Sequence, residues 1–474
     1  MKNAILALAA LSLPVAGLAQ PTGFVGNEAP ANLEMAADMA LEMDRYAWDF
    51  VEGVTTEVGP RQAGTEAEAR GRQWAMAWLR DNGFRNVADE PFEIDTWVPG
   101  DIHRAEVTAP FPQQLVVQPL GNSAATPAGG IEAEVVEFAT VDQLRSAPDG
   151  SLDGKIAYVS HQMRPAMDGS HYGFAGPARW FAPGIAASKG AIGIVIKSVG
   201  TDYHRNPHTG GTNFPDGVEP IPAAALSVPD AENLERMFDR GMPVTLKLEL
   251  NPERIGTTTS GNVVGEIVGR NPSLPPVLIA CHLDSWWNSP GAFDDGAGCG
   301  IVAASALHVS LTGQPLRTIR VLFAGAEETG LWGSKAYSEA HIDEPIAVGI
   351  ESDFGADRVW RFESNFRETN PQLHVKLASA VARFGVANSS IKASGGADLN
   401  IARDQKTAII DLQQDGTRYF DLHHTPDDTL DKIDIEQLRQ NVAVWTQVVG
   451  ILANEERSIQ TGGIIPGAPA VMEE

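Results

Sequence analysis

The sequence predicts an α/β fold: a mixed, largely parallel central sheet with helices on both faces, plus a smaller inserted domain. Three observations predict it. After about Asn262, apolar runs at 277–281, 318–324, 346–351 and 407–412 alternate with helical text, the signature of a sheet flanked by helices. Between 110 and 253 the composition shifts to Gly, Pro and short β-like pieces; helical spacing precedes this stretch and the strand segments follow it, so it reads as an insertion into a larger domain. The 474 residues also exceed what one hydrophobic core usually supports.

In chain order, Met1-Lys2-Asn3 carries one positive charge, residues 4–15 are mostly apolar, and Gly17-Leu18-Ala19 supplies small residues. That order predicts a signal peptide over 1–19, and with it a secreted or periplasmic protein. Residues 33–54 and 65–82 place apolar side chains at helical spacing, the second with Trp74, Ala77 and Leu79. Gly59-Pro60-Arg61 between them is a turn, in which Arg61 reads as a capping charge or as a functional group. The main domain is therefore discontinuous, over 20–109 and 254–456. The insertion holds Glu134-Val135-Val136, the β-like pieces 155–159 and 191–196, and a helical piece over 229–240. In the main domain 297–309 and 434–454 are helical, the latter with Asp434 as N-cap and Ile435, Leu438, Val442, Trp445, Val449 and Leu452 on its buried side. Residues 457–474 are expected to form a flexible tail.

Charge narrows the function classes. The formal net charge is −26, and removal of 1–19 takes Lys2 and no acid, leaving −27. That balance is wrong for releasing counterions from a phosphate backbone, so no nucleic-acid partner is expected. No segment after the leader approaches the roughly 18 uninterrupted apolar residues of a membrane span. Cys281 and Cys299 are the only cysteines. A single bridge would be possible, but Cys281 ends an apolar run and Cys299 lies among small residues opening a helix, which favours two buried free thiols.

Chemistry-bearing residues concentrate in five short clusters. These are Cys281-His282-Leu283-Asp284, Phe293-Asp294-Asp295-Gly296, Ala326-Glu327-Glu328-Thr329, Glu351-Ser352-Asp353 and His423-His424-Thr425-Pro426-Asp427-Asp428. His282, Glu327 with Glu328, and Asp353 each fall at the C-terminal end of an expected strand, the edge at which open α/β sheets gather their ligand groups. Several carboxylates converging without a partner would repel and drive one another's pKa upward, and a metal resolves that conflict. Two imidazoles with three or more carboxylates fit a pair of borderline cations, most simply two Zn²⁺ about 3.5–4 Å apart with one carboxylate between them. Cys281 adjoins His282, but neighbouring strand side chains point to opposite faces. Asp284, two residues on, could accept the second ring N–H of His282. Glu327 and Glu328 suit a division of labour in which one binds metal and the other moves a proton. Trp286 and Trp287 could line a pocket or simply pack; His308, His341 and His374 read as structural, and His204 and His208 sit on an insertion loop, where they read as structural or as reaching the cleft.

These clusters, extended to Gly291–Gly298 and Ala326–Ser334, resemble the successive motifs of the co-catalytic di-zinc exopeptidases, in the branch of bacterial leucyl-type aminopeptidases and plasma glutamate carboxypeptidase. The insertion resembles a protease-associated domain. Gly59-Pro60-Arg61 and Trp97-Val98-Pro99-Gly100 resemble that branch's N-terminal segment. The resemblance implies a zinc exopeptidase fold and a peptide substrate, with Asp294 bridging two zincs. His282 and Asp353 would hold one ion, Glu328 and His424 the other, with Glu327 as general base and Asp284 orienting His282. His424 is preferred to His423 because the family's pattern puts an Asp four residues after the ligand, where Asp428 stands. The branch also implies a possible homodimer and an unusual backbone at Asp294-Asp295. Two rival readings use the same residues differently: a single-zinc cyclase or amidohydrolase on this scaffold, and a non-catalytic receptor-like protein binding partners through its insertion.

Overall fold

The structure, a computed structural model, describes residues 31–465. The expected signal peptide and the end of the expected tail lie outside the described residues. Two eight-stranded sheets organise the chain. In the first, the order is Arg85–Val98, Glu253–Ile267, Ile319–Ala324, Val277–His282, Val348–Glu351, Ala408–Gln414, Val359–Ser364 and Ala387–Asn388. Its four central strands, Ile319–Ala324 to Ala408–Gln414, are parallel, and antiparallel pairs flank them, so the sheet is mixed as expected.

Strand Val277–His282 is buried at every position, which explains its unbroken apolar text: a parallel strand covered on both faces shows no alternation. Its side chains divide by parity. Val277, Ile279 and Cys281 join the core formed with helices Ala297–Leu311 and Ile435–Ala453. Leu278 and Ala280 join a second core with Tyr337, Leu399 and Ile401, from the helical segments on the other face. Helix Ile435–Ala453 starts where its N-cap predicts, Asp434 accepting from the backbone N–H groups of Glu436 and Gln437.

Three expectations change. Residues 33–54 are not one helix but two, Leu33–Met43 and Tyr46–Gly53. The break falls at Asp44, whose carboxylate accepts from the backbone of Tyr46 and Ala47 and faces His308 Nε2 at 2.8 Å, a local capping bond that apolar spacing does not reveal. Secondly, the two cysteines are not free thiols. Cys281 points toward the face covered by helix Ala297–Leu311, whose first turn brings Cys299 opposite with Cα atoms 5.2 Å apart, and the sulfurs are bonded. Thirdly, the chain stays packed past 457: Arg317 and Asn370 donate to the carbonyls of Arg457, Ser458 and Ile459, and Ile459 is buried.

The second sheet runs Gln113–Leu115, His103–Ala109, Thr245–Leu250, Ile131–Phe138, Ile156–Val159, Gly193–Lys197, Ala223–Leu226 and Val117–Pro119. It therefore begins at His103, ahead of residue 110. A long antiparallel ribbon, Arg85–Val98 against Glu253–Ile267, leads the chain out to this sheet and back. No helix among the described residues is long and apolar enough to cross a membrane.

Replacing both cysteines with alanine is expected to cost about 3 kcal/mol, the loop-closure scale for a bridge spanning 18 residues. Denaturant unfolding measures it. An unchanged midpoint, or two reactive thiols in the unreduced, denatured protein, would contradict the bridge.

Candidate metal centre

The parallel strands deliver the site. His282 ends strand Val277–His282, Glu327 and Glu328 lie in the turn after Ile319–Ala324, and Asp353 follows Val348–Glu351. Asp294 comes from the turn leading into helix Ala297–Leu311, and His424 from the loop after the short helix Tyr419–Leu422. These five side chains converge. His282 Nε2 lies 3.0 Å from Asp294 Oδ1 and 3.5 Å from Asp353 Oδ1. On the other side of the same carboxylate, Asp294 Oδ2 is 3.5 Å from His424 Nε2, which stands 2.6 Å from Glu328 Oε2. Asp294 thus faces His282 with one oxygen and the adjacent His423 and His424 with the other, and the groups His282–Asp294–Asp353 and Asp294–His423–His424 each have ligand atoms close enough to share an ion.

The surroundings hold this arrangement from behind. Asp428 accepts from the backbone N–H groups of Phe293 and Asp294, and Asp295 accepts from those of His282 and Gly298. The peptide between Asp294 and Asp295 is cis. Asp284 departs from its expected contact. His282 Nδ1 meets the Asp284 carbonyl at 3.0 Å, whereas the carboxylate is 3.7 Å away and accepts instead from the Glu327 backbone N–H. Asp284 therefore orients His282 through its main chain, and its side chain fixes the turn carrying Glu327.

Electrostatics test whether these residues suit a cation. Burial pushes Glu327 and Glu328 well above the ordinary carboxylate range; Asp353 and Asp284 add to this at both, as does Glu328 at Glu327 and Asp294 at Glu328. Asp294, which burial alone would raise, is held below its ordinary value by His282 and His424. His424 is pushed down to about 3 by burial and by Arg179, leaving a neutral ring of the kind that ligates metal. Among the described residues Asp294 Oδ2 and Glu328 Oε1, both buried, have no hydrogen-bond partner. Unpaired anionic oxygens cost several kcal/mol each unless a cation compensates them, so the donor set fits bound metal.

The structure decides several roles that the sequence left open and adds others. Arg61 is neither a helix cap nor a reactive group: fully buried, it donates to the carbonyls of Leu283, Pro290 and Gly291, tying down the loop between His282 and Asp294. Trp286 is buried and stacks on His424, with centroids 5.2 Å apart, while Trp287 meets His103 edge-on. A cavity of about 540 Å³ opens over the centre, and Tyr172, Arg179, Phe181 and Asn213 of the insertion line it alongside Glu327 and Tyr419. His308, His341 and His374 lie away from it, facing Asp44, Glu90 and Ser364.

Fold and site together define an α/β protein with a candidate metal centre at the edge of its parallel strands. The model described as Peptidase family M28 matches residues 262–449, the span that carries all five converging side chains. Carboxypeptidase Q of Bos taurus is 30% identical over 406 residues, 85% of this chain and 84% of that protein. Among solved structures, the Peptidase M28 precursor from Shewanella amazonensis SB2B is 42% identical with a TM-score of 0.86, covering 92% of this chain and 98% of that one. BSAP, a zinc aminopeptidase from Bacillus subtilis, has the same fold at 20% identity and a TM-score of 0.60, over 89% and 95% of the two chains. The chain belongs to peptidase family M28.

Truncating Arg61 to alanine strips three buried carbonyls of their donor and is expected to destabilise the protein by at least about 3 kcal/mol. Arg61→Lys should not restore it, since one ammonium cannot reproduce the guanidinium fork. Urea unfolding of the two variants measures both effects.

Proposed function

We propose that the protein is an exported zinc exopeptidase that hydrolyses dipeptides or short peptides at a two-metal centre. The observation that carries this is Asp294, whose two carboxylate oxygens face His282 with Asp353 on one side and His424 with Glu328 on the other. That sharing supports two ions over the one a cyclase or amidohydrolase would use. Zinc suits the mixed nitrogen and oxygen donors, and BSAP is described as a zinc enzyme. Relatives named for carboxypeptidase and for aminopeptidase activity both resemble the chain, and both attack the end of a peptide. Export rests on the order of charge, apolar run and small residues in the first 19 residues.

Bound here, the two ions would polarise the scissile carbonyl and make the attacking water more acidic. The remaining work belongs to the chain. Glu327 lines the cavity beside Glu328, and its backbone is fixed by Asp284, so its carboxylate is placed to take a proton from the attacking water and return it to the leaving amine. The aromatic lining around the centre excludes water and receives the substrate's side chains.

Glu327→Ala is expected to lower kcat at least about 100-fold, the scale of a general acid–base group, with zinc content unchanged at two ions per chain. Dipeptide hydrolysis and elemental analysis on the same preparation check this. Ordinary turnover in the variant would remove Glu327 from the mechanism, one ion per chain would favour the single-zinc reading, and no hydrolysis across a panel of free and N-blocked dipeptides would favour the receptor-like one.

A further inference from the structure

We infer that the inserted domain supplies a clamp, centred on His208 and Thr209, that positions His424 for metal; this rests on the reading of His424 as a ligand. His424 has a φ of +58°, a left-handed backbone unusual for a residue with a side chain, so its surroundings must hold it there. Asn288 donates to the carbonyl of His424 itself at 3.2 Å, and residues 201–209 hold the ring and the segment around it. His208 Nδ1–H donates to the carbonyl of His423 at 2.7 Å, and the Thr209 carbonyl stands 3.0 Å from His424 Nδ1. Thr201 binds Phe420 and Asp421 through its backbone N–H and its hydroxyl, and Asn206 donates to Asp427.

The clamp is itself rigid. His208 is fully buried, its other ring nitrogen faces Asp202, and its backbone N–H donates to Ser198 Oγ. Gly200 makes room for it, since a Cβ there would lie 2.2 Å from the His208 ring. The insertion also reaches the opposite face of His424: Gly121 packs so closely on Trp286, which stacks on His424, that a Cβ would fall 2.7 Å from the indole.

The consequence is a choice between adjacent histidines. His423 and His424 stack at 3.6 Å, and their Nε2 atoms lie 3.7 and 3.5 Å from Asp294 Oδ2. Only His424 has its Nδ1 against a carbonyl, that of Thr209 at 3.0 Å, to which Arg179 Nη1, 3.4 Å from the ring nitrogen, donates as well; among the described residues Nδ1 of His423 has no hydrogen-bond partner. A hydrogen bond at Nδ1 fixes the tautomer that leaves Nε2 free to ligate, so the clamp selects His424. His208 and Thr209 are thus positioning residues.

Zinc affinity, measured by chelator competition on the purified full-length protein, tests this alongside kinetics. His208→Ala should weaken one of the two ions about 10–100-fold, as loss of an orienting partner does, leave the other within about twofold, and lower kcat more than it raises KM. His208→Asn, whose amide can occupy the place of Nδ1, should recover most of that affinity, and His208→Gln should not. His424→Ala is the control and should lose the same ion. If His424→Ala loses an ion while His208→Ala keeps both at full affinity, the clamp is refuted; if His424→Ala loses none, the ligand reading beneath it fails. Should His208→Ala not fold by circular dichroism, equal zinc affinity in the Asn and Gln variants overturns the inference.

Discussion

The concentration of acidic side chains at one edge of a parallel sheet is the constraint on which the rest of the structure turns. Asp284, Asp294, Asp295 and Asp428 are each less than 5% exposed, and Glu327, Glu328 and Asp353 crowd against them. In water such groups would repel modestly; out of water, each anion also loses its hydration, and folding must compensate both effects. Two means are visible. Asp295 and Asp428 are satisfied by backbone N–H groups and Asp284 in part, whereas Asp294 and Glu328 keep unpaired oxygens facing two imidazoles. The first group shapes the loops. The second is left for a cation to neutralise.

This division explains why a single arginine can matter without touching substrate. Arg61 supplies positive charge to the same region and spends its guanidinium on main-chain carbonyls between His282 and Asp294, so that loop is braced from below while its carboxylates point upward. The disulfide acts at the same place, joining the residue before His282 to the first turn of the helix that follows Asp294. Strand, loop and helix therefore form one preorganised unit, as an electrostatic site requires if it is not to spend binding energy on rearrangement.

How much of this could be read from the residues depended on whether the signal was local. The central strands announced themselves because burial on both faces makes a run such as Val277-Leu278-Ile279-Ala280 continuously apolar. His282, Glu328 and Asp353 were legible for the same reason, each sitting just beyond such a run, and Asp294 stood beside a glycine-rich turn; His424 had no such local signal and was picked out by the resemblance. The ribbon Arg85–Val98 and Glu253–Ile267 was not, since each strand has a largely exposed stretch, 85–93 in the first and 253–259 in the second, that carries charges or threonines in place of a clean apolar alternation. Arg61, Trp286 and His208 were left with alternative readings because their partners at the site lie 138 to 230 positions away in the chain, a distance no local pattern records. Asp284 shows a finer limit. Its spacing put it near His282, but only the backbone path decided that the carbonyl, not the carboxylate, faces the ring.

Backbone strain follows the same geography. Of the residues other than glycine with positive φ, Ala326 and Leu331 bracket the Glu327-Glu328 turn and His424 carries a proposed ligand. Such conformations cost about 1–3 kcal/mol each and persist only where neighbours over-determine them. Around the turn, Trp332 and Gly333 donate back to the carbonyls of Ala326 and Gly325, and Asp284 receives the Glu327 N–H. Around His424, much of that work falls to a different domain, since His208 and Thr209 lie in the insertion. The two halves of the centre therefore differ in kind: one is fixed by the sheet that bears it, the other by contact across the cleft. The cavity over the centre is lined by both insertion and main domain, so the proposed ligand His424 depends for its geometry on both walls.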